Sequence, residues 1–322
     1  MLPHQLHVRG VLGINARNQK YTLRVNERRF YPLVDDKLAT KRMCQEAGIP
    51  VPRLFAVAEV HAQAKRLLPQ LAGESAFVLK PARGAMGNGI LVIDMRDAKM
   101  MRGSRVVSAE DFVYHAAGII SGLYSLAGHV DAAMVEEKLV THAAIAPLAV
   151  DGVPDVRVIV YRGIPVMGMM RLPTRSSGGR ANLHQGALGV GIDLELGLTT
   201  HAMFRGASIQ KHPDNQRALL GFPIPSFDQV LTTAVSAASH TGLGYVGADV
   251  VIDAILGPAI LELNARPGLA IQLANRAGLG PRLDAVDEAL GSWRRGERNE
   301  MPTEARVALG REVARATRRL AA

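Results

Sequence analysis

A single cysteine, Cys44, stands in the whole chain, so neither a disulfide framework nor a cysteine-built zinc site can form from it. It sits beside Met43 in a helical pattern, the setting of a small core residue. Aromatics make up only 4% of the residues, too few for the interleaved stacking surface of a single-strand nucleic-acid binder. No apolar run approaches the ~18 residues that suggest a membrane span, and the start, "MLPHQLHVRG", lacks the apolar stretch of a secretory signal. The expected location is the cytoplasm. Hydrophobic residues reach 48% over 322 positions, which excludes disorder and allows one large domain or two lobes.

Charge is present but unevenly placed. The total of +9 divides into +5 over residues 1–34 and +4 over residues 293–322, leaving the middle neutral. A basic patch can attract nucleic acid, anionic lipid or an acidic partner, and a solvated basic surface is the plainer expectation. In the tail, Leu309, Val313, Ala316 and Leu320 recur at helical spacing with arginines on the other faces. Packing against the body or a partner subunit is expected of that helix, with peripheral membrane contact as the alternative.

Residues 1–34 show no sustained period. At "DDKLATKRMCQEAGIPVP" an acidic start, helix formers, Gly48, and prolines at 50 and 52 predict a capped helix followed by extended chain. "AFVLK" and "GILVID" read as strands, "EDFVYHAAGIISGLYSL" as a helix, and "AMVEEKLV", "PDVRVIVY" and "IPVMGMMRL" as strands, the last two joined by a turn at Arg162-Gly163. "TRSSGGRANLHQGALGVG" reads as a loop. "FDQVLTTAVSAASHTG" reads as a helix ahead of the strands "ADVVID" and "AILELN", and a last helix follows Pro281. Mixed elements with several hairpins and no repeat predict an α+β fold.

Between the first two strands lies "LKPARGAMGNGI". A P-loop ends in Gly-Lys-Ser/Thr and a dinucleotide fingerprint in G-x-G-x-x-G, each opening into a helix. Here Lys80 precedes the glycines and a strand follows them. A glycine hairpin with Gly84, Gly87 and Gly89 can lay backbone N–H groups over phosphates, with Lys80 as a cation beneath. An ordinary long hairpin whose glycines satisfy positive φ explains the same residues.

In "GADVVIDAILGPAILELNARPG", a turn at Ala254–Gly257 pairs Asp253 with Pro258 and places Asp249 opposite Glu262, with Asn264 on the same face. Facing carboxylates repel unless a cation or a shared proton lies between them. Mg²⁺ accepts this set of carboxylate and amide oxygens. A polar, solvent-facing side of a hairpin is the competing explanation.

A lysine-led glycine hairpin with a late Asp, Glu-x-Asn triplet resembles the ATP-grasp superfamily, and more narrowly the alpha-L-glutamate ligase homologues related to RimK-type ligases. The resemblance runs from about Val11 to Leu283 through "YPLVDDKLATKR", "VLKPARGAMGNGI", "GVPDVRVIVYRGIPVMGMMRLPTR", "ANLHQGALGVGID", "GLGYVGADVVID" and "LELNARPGLAIQLAN". It implies two α+β lobes with ATP held between them, and a reduced N-terminal region, since a 36-residue basic segment precedes Lys37 where RimK-type ligases carry a small α/β domain. The expected division is a basic segment (1–34), an N-terminal lobe (35–130), a C-terminal lobe with the metal site (131–292) and a basic C-terminal helix (293–322).

By this resemblance Lys37 and Lys80 bind the nucleotide, with Lys41 competing for the first role. Glu137 and Leu139 grip adenine through their backbone, and Asp155 takes the ribose hydroxyls, unless it merely caps a strand. Asp249, Glu262 and Asn264 hold one or two Mg²⁺ ions, Mn²⁺ being an alternative. Arg180, Asn182 and His184, with Arg171 and Arg175 nearby, face the transferred phosphoryl group and the substrate carboxylate. The implied activity is ATP-dependent carboxylate–amine ligation through an acyl phosphate, with glutamate or another amino acid joined to a peptide or small acceptor. Small-molecule or peptide substrates are the expected partners, a homo-oligomer is compatible, and nucleic acid is not expected. A phosphotransferase and a non-catalytic nucleotide-binding regulator are the alternatives.

Overall fold

The computed structural model describes residues 6, 8–84, 87–125, 128–291 and 301–318. Its chain divides into two compact units, one of residues 36–41 and 51–139, the other of residues 1–35, 42–50 and 140–322. The expected boundary at 130/131 therefore stands against a division at 139/140. Residues 1–34, expected as a segment apart, share a unit with the C-terminal half.

The smaller unit is built on a six-stranded antiparallel sheet. Its strands are β1 (Leu54–Ala58), β2 (Ala76–Pro81), β3 (Leu91–Arg96), β4 (Lys99–Arg102), β5 (Arg105–Val107) and β6 (Ala133–Glu137), in the order β1-β6-β2-β3-β4-β5. Alternation decides which side chains meet the core. Phe77 and Leu79 of β2 and Ala133 and Val135 of β6 pack with Phe112, Ala116 and Ile119 of the helix Ala109–Ile120. Phe77 and Phe112 meet edge to face at 5.9 Å. The same alternation turns Lys80 and Glu136 to the other side of the sheet.

The larger unit carries a seven-stranded antiparallel sheet of β7 (Asp155–Tyr161), β8 (Ile164–Leu172), β9 (Leu188–Ile192), β10 (Thr199–Phe204), β11 (Ala207–Ile209), β12 (Tyr245–Asp253) and β13 (Gly257–Asn264), ordered β11-β10-β9-β8-β7-β12-β13. The expected turn at Arg162-Gly163 is there, with φ of 49° and 82° as a two-residue hairpin of this twist requires. β9 corrects the reading of "ANLHQGALGVG" as loop throughout. Its glycines look like loop residues but serve packing: a Cβ on Gly191 would lie 2.3 Å from the carbonyl oxygen of Ala274 in the helix Ala270–Asn275.

The N-terminal segment covers part of this sheet. A helical run from Ile14 to Val25, with a π-turn at Asn18–Thr22, places Tyr21 in the core with Ile159, Tyr161 and Tyr245. Arg17 is buried and donates to the carbonyl of Pro267 at 3.0 Å. The Asn26 side chain caps the start of β12, exchanging two hydrogen bonds of 2.8 Å with the backbone of Tyr245. These partners all lie far away in sequence, those of Arg17 and Asn26 by 250 and 219 residues, which is why the segment shows no local period.

At the other end, the helix Thr303–Arg318 packs on β8. Its buried face is Arg306, Val307, Gly310, Val313, Ala314 and Thr317, rotated from the expected stripe. Leu309 is half-buried and Ala316 exposed. Leu320, and residues 293–300 of that expected helix, lie outside the described residues. Close approach sets the rotation, since a Cβ on Gly310 would stand 2.4 Å from the carbonyl oxygen of Pro165.

Candidate functional site

In the smaller unit the sheet face away from the helix Ala109–Ile120 carries a buried charge cluster. Val78 pairs with Glu136 and Lys80 with Met134, so Lys80 and Glu136 are diagonal neighbours. The Lys80 ammonium contacts one carboxylate oxygen of Glu136, and Lys41 approaches the other at 2.9 Å. Lys41 also donates to the carbonyl of Pro52 at 2.5 Å. All three side chains are buried. Burial acts against the charge on Glu136, but Lys80 and Lys41 outweigh it and hold the carboxyl below its usual range. The three groups together carry one net positive charge.

Lys37 sits apart from that cluster, donating to the carbonyl of Gly84 at 2.6 Å, where the glycine hairpin begins. Gly87 and Gly89 have φ of 74° and 75°, and a Cβ on Gly89 would meet the Tyr124 ring at 2.6 Å. Arg83 is tied down as well: its amide donates to Asp131 and its guanidinium to Asp36, each at 3.0 Å. Glu137 ends β6, its amide donating to the carbonyl of Arg53 at 2.9 Å, and Leu139 is buried two residues on.

In the larger unit one sheet face carries a row of charges across four strands. The register pairs Arg171 with Asp155, Arg157 with Asp249, and Asp249 with Glu262. The last pairing is the expected one, reached by a different path. The turn is Ala254–Leu256, with Asp253 opposite Gly257 and Ile252 opposite Pro258. Asp253 tightens it by accepting from the amides of Ile255 and Leu256 at 2.8 and 2.9 Å. Continued unbroken, that register would set Asp249 against Leu261 and turn Glu262 to the opposite face. A bulge between Val250 and Asp249 restores the pairing and re-aims Glu262.

Asp249 is fully buried. Arg157 holds it bidentately at 2.7 and 2.6 Å, Arg171 adds a contact at 2.8 Å, and the Asn264 amide donates at 3.3 Å. Burial opposes its charge, yet the two guanidinium groups keep its carboxyl below the usual range. Arg171 also holds Asp155 bidentately at 2.6 and 2.5 Å. Burial nevertheless pushes Asp155 up to about 6, with Arg171 opposing the rise and Asp249 adding to it. The inference from facing carboxylates to a metal is thus incomplete, because Arg157 and Arg171 already compensate Asp249. Arg157 was not among the expected site residues. Its place two residues after Asp155 puts it on the same face, but only the β7–β12 pairing reveals its partner.

Asp155 is buried and engaged by Arg171, an arrangement unlike that of a carboxylate offered to ribose hydroxyls. Arg180 and His184 are exposed on the segment joining β8 and β9, and Asn182 accepts from the His184 amide at 2.9 Å. That segment is seated backbone to backbone, since a Cβ on Gly179 would lie 2.1 Å from the carbonyl oxygen of Asp151. Arg175 donates its amide to Asp214 at 2.9 Å. The structure therefore brings together Arg171, Asp155, Asp249, Glu262 and Asn264 in one unit, and Lys80 with Lys41 in the other.

The oxygens of Asp249, Glu262 and Asn264 suit a hard divalent ion. Asp155, Asp249 and Glu262 set against Arg157 and Arg171 leave one net negative charge to attract it. Among the described residues no group of three or more His, Cys, Asp or Glu side chains forms a metal site. An ion here would rest on two carboxylates and an amide, the sparse protein coordination typical of Mg²⁺.

No curated protein matches the chain. Among solved structures, the ATP-grasp ligase PsnB complexed with a minimal precursor is similar over 82% of this chain and 63% of that one, at 17% identity and a TM-score of 0.43. D-cycloserine synthetase DcsG is similar over 81% and 71%, at 15% identity and a TM-score of 0.46. A phosphoribosylamine–glycine ligase from Thermotoga maritima is similar over 82% and 56%, at 17% identity and a TM-score of 0.47. The chain thus spans less than two thirds of the length of PsnB. At these identities none of the three transfers a substrate. The family model of the sugar-transfer associated ATP-grasp proteins matches residues 16–288. The chain belongs to the sugar-transfer associated ATP-grasp family.

Proposed function

We propose that the protein is an ATP-dependent carboxylate–amine ligase. The observation that carries this reading is the pairing of Asp249 with Glu262, with Asn264 beside them, in a chain of the ATP-grasp family. A bulge that turns a second carboxylate toward a buried aspartate adds electrostatic cost, and a phosphate-bound cation offsets it.

Lys80 and Lys37 hold the nucleotide phosphates, Glu137 and Leu139 the adenine edge through their backbone, and Gly84, Gly87 and Gly89 present amides to the phosphates. Asp249, Glu262 and Asn264 would hold Mg²⁺, which would supply charge neutralisation for the nucleotide phosphates. A substrate carboxylate oxygen attacks the γ-phosphorus, the bond to ADP breaks, and an acyl phosphate forms. The acceptor amine then attacks the acyl carbon, phosphate leaves, and the amine proton passes to a base, for which His184 is the candidate. Arg180, with Asn182, neutralises charge building on the transferred phosphoryl group. Arg171 works from beneath, fixing Asp249 and Asp155.

The narrower resemblance suggests glutamate as the acid, and the family's description brings a sugar-bearing amine into the acceptor panel. The test is ADP release and product mass with ATP, Mg²⁺ and that panel. An amide product with one phosphate per ADP supports ligation. A phosphorylated sugar without amide makes the protein a phosphotransferase, and stimulation by no acid or amine while ATP still binds removes both.

A further inference from the structure

The loop that carries Arg175, Arg180, Asn182 and His184 is held from outside by a turn of the same unit. Residues 211–218 follow β11 and close on themselves: Lys211 bridges to Ala218, and the His212 amide donates to the carbonyl of Arg217 at 2.9 Å. His212 alone in this turn is buried, so the turn adds little apolar surface to the core. What it offers is side-chain bonds to its neighbours. His212 meets the carbonyl of Pro173 at 3.2 Å, the Asp214 carboxylate accepts from the Arg175 amide at 2.9 Å, and the Asn215 side chain donates to the carbonyl of Pro147 at 3.1 Å.

The partners of His212 fix its tautomer. Its Nδ1 lies 3.2 Å from the Asp214 amide, which can only donate, so Nδ1 accepts and the ring proton sits on Nε2. Nε2 is thereby the donor to the carbonyl of Pro173. At 0% exposure the ring has no bulk water to replace either bond. One side chain thus ties the turn to itself and to the start of the loop. The far end of the loop is tied to that same start, since Thr174 donates its hydroxyl to the carbonyl of Gly186 at 2.7 Å. Holding residues 173–175 therefore holds both ends of a loop whose Arg180 and His184 are exposed.

We propose that His212 and Asp214 are positioning residues: the turn 211–218 straps the loop of residues 174–187 in the geometry that receives the acid substrate, and nucleotide binding is left to other residues. The proposal rests on the ligase reading, which puts Arg180, Asn182 and His184 at the transferred phosphoryl group and the substrate carboxylate. A loose loop would lose conformational entropy on binding, and a loop ordered beforehand avoids that loss. Because the strap grips a backbone carbonyl and a backbone amide, it fixes the path of the loop and leaves its functional side chains free.

The experiment compares the wild type with Asp214→Ala, which removes the acceptor for the Arg175 amide, and with Asp214→Asn, which keeps an acceptor oxygen there. Hydrogen exchange over residues 175–186, ADP affinity by calorimetry, and KM for the panel acid that best supports ADP release are read for each. In Asp214→Ala, exchange at least fivefold faster, an acid KM at least fivefold higher and ADP affinity within twofold of the wild type are expected, with Asp214→Asn close to the wild type throughout. A second pair separates the two bonds of the ring: His212→Gln still places a donor toward Pro173 and His212→Asn does not, so exchange should be faster in His212→Asn. Unchanged exchange in Asp214→Ala, an acid KM that does not move, or a loss of ADP affinity as large as the loss for the acid overturns the proposal. Exchange needs no substrate, so it decides the strap even where the wild type shows no acid-dependent ADP release, the outcome that removes the ligase reading instead.

Discussion

Glu136 concentrates the electrostatics of the smaller unit in one side chain. It is the counter-ion of two buried lysines, and removing one member of such a cluster leaves the rest uncompensated. Glu136→Gln should cost about 3–5 kcal/mol at neutral pH in chemical denaturation. Because its folded pKa is depressed, its contribution is present above the unfolded value of 4.5 and lost as pH falls through the lower folded value. The gap between wild type and Glu136→Gln should therefore be flat above about pH 5 and narrow below it. Arg157 has the same standing toward Asp249. Arg157→Lys keeps the charge and loses the fork, so it should still destabilise by about 2 kcal/mol or more in the same measurement. The pairing of Asp249 with Glu262 was legible from a hairpin register, although the turn is one residue shorter than expected and a bulge makes up the difference. Arg157 was not, because its partner is 92 residues away.

Among the elements, those governed by local chemistry could be read directly: the helix Lys37–Glu46 closing at Gly48, the β2–β3 hairpin, and the turn between β7 and β8. Elements shaped by tertiary approach could not. In β9 glycine marks a helix pressed close, and in the C-terminal helix Gly310 rather than a leucine marks the buried face. Gly310→Ala raises helix propensity by about 1 kcal/mol, yet its methyl group has no room against Pro165. Its Tm should fall, with faster hydrogen exchange over residues 303–318. A rise in Tm would refute the close approach. The β13 bulge is the other such element. Deleting Leu261 removes the residue that the register skips and leaves Glu262 opposite Asp249 in an unbroken ladder, so nucleotide turnover should survive while circular dichroism still reports the sheet.

For the molecule as a whole, three arginines of the basic C-terminal helix are taken up in ion pairs within the chain. Arg311 pairs with Asp228, Arg315 with Glu195 at 2.7 Å, and Arg318 with Asp193 and Glu195 at 2.7 and 2.9 Å. Exposed pairs of this kind contribute at most about 1 kcal/mol each and weaken with salt, so they orient the helix more than they stabilise it. Among the described residues no helix is long and apolar enough to cross a membrane. The C-terminal helix buries its face of Val307, Gly310, Val313 and Ala314 and packs on β8.

The central claim is that the Asp249–Glu262 pair and Lys80 serve ATP-dependent ligation. Its most direct test is ADP release, with product mass, for wild type, Glu262→Gln and Lys80→Met over the acid and amine panel. The account predicts amide formation by the wild type, a loss of at least a hundredfold in both variants, and retained folding in Glu262→Gln. Turnover in Glu262→Gln equal to that of the wild type would contradict it.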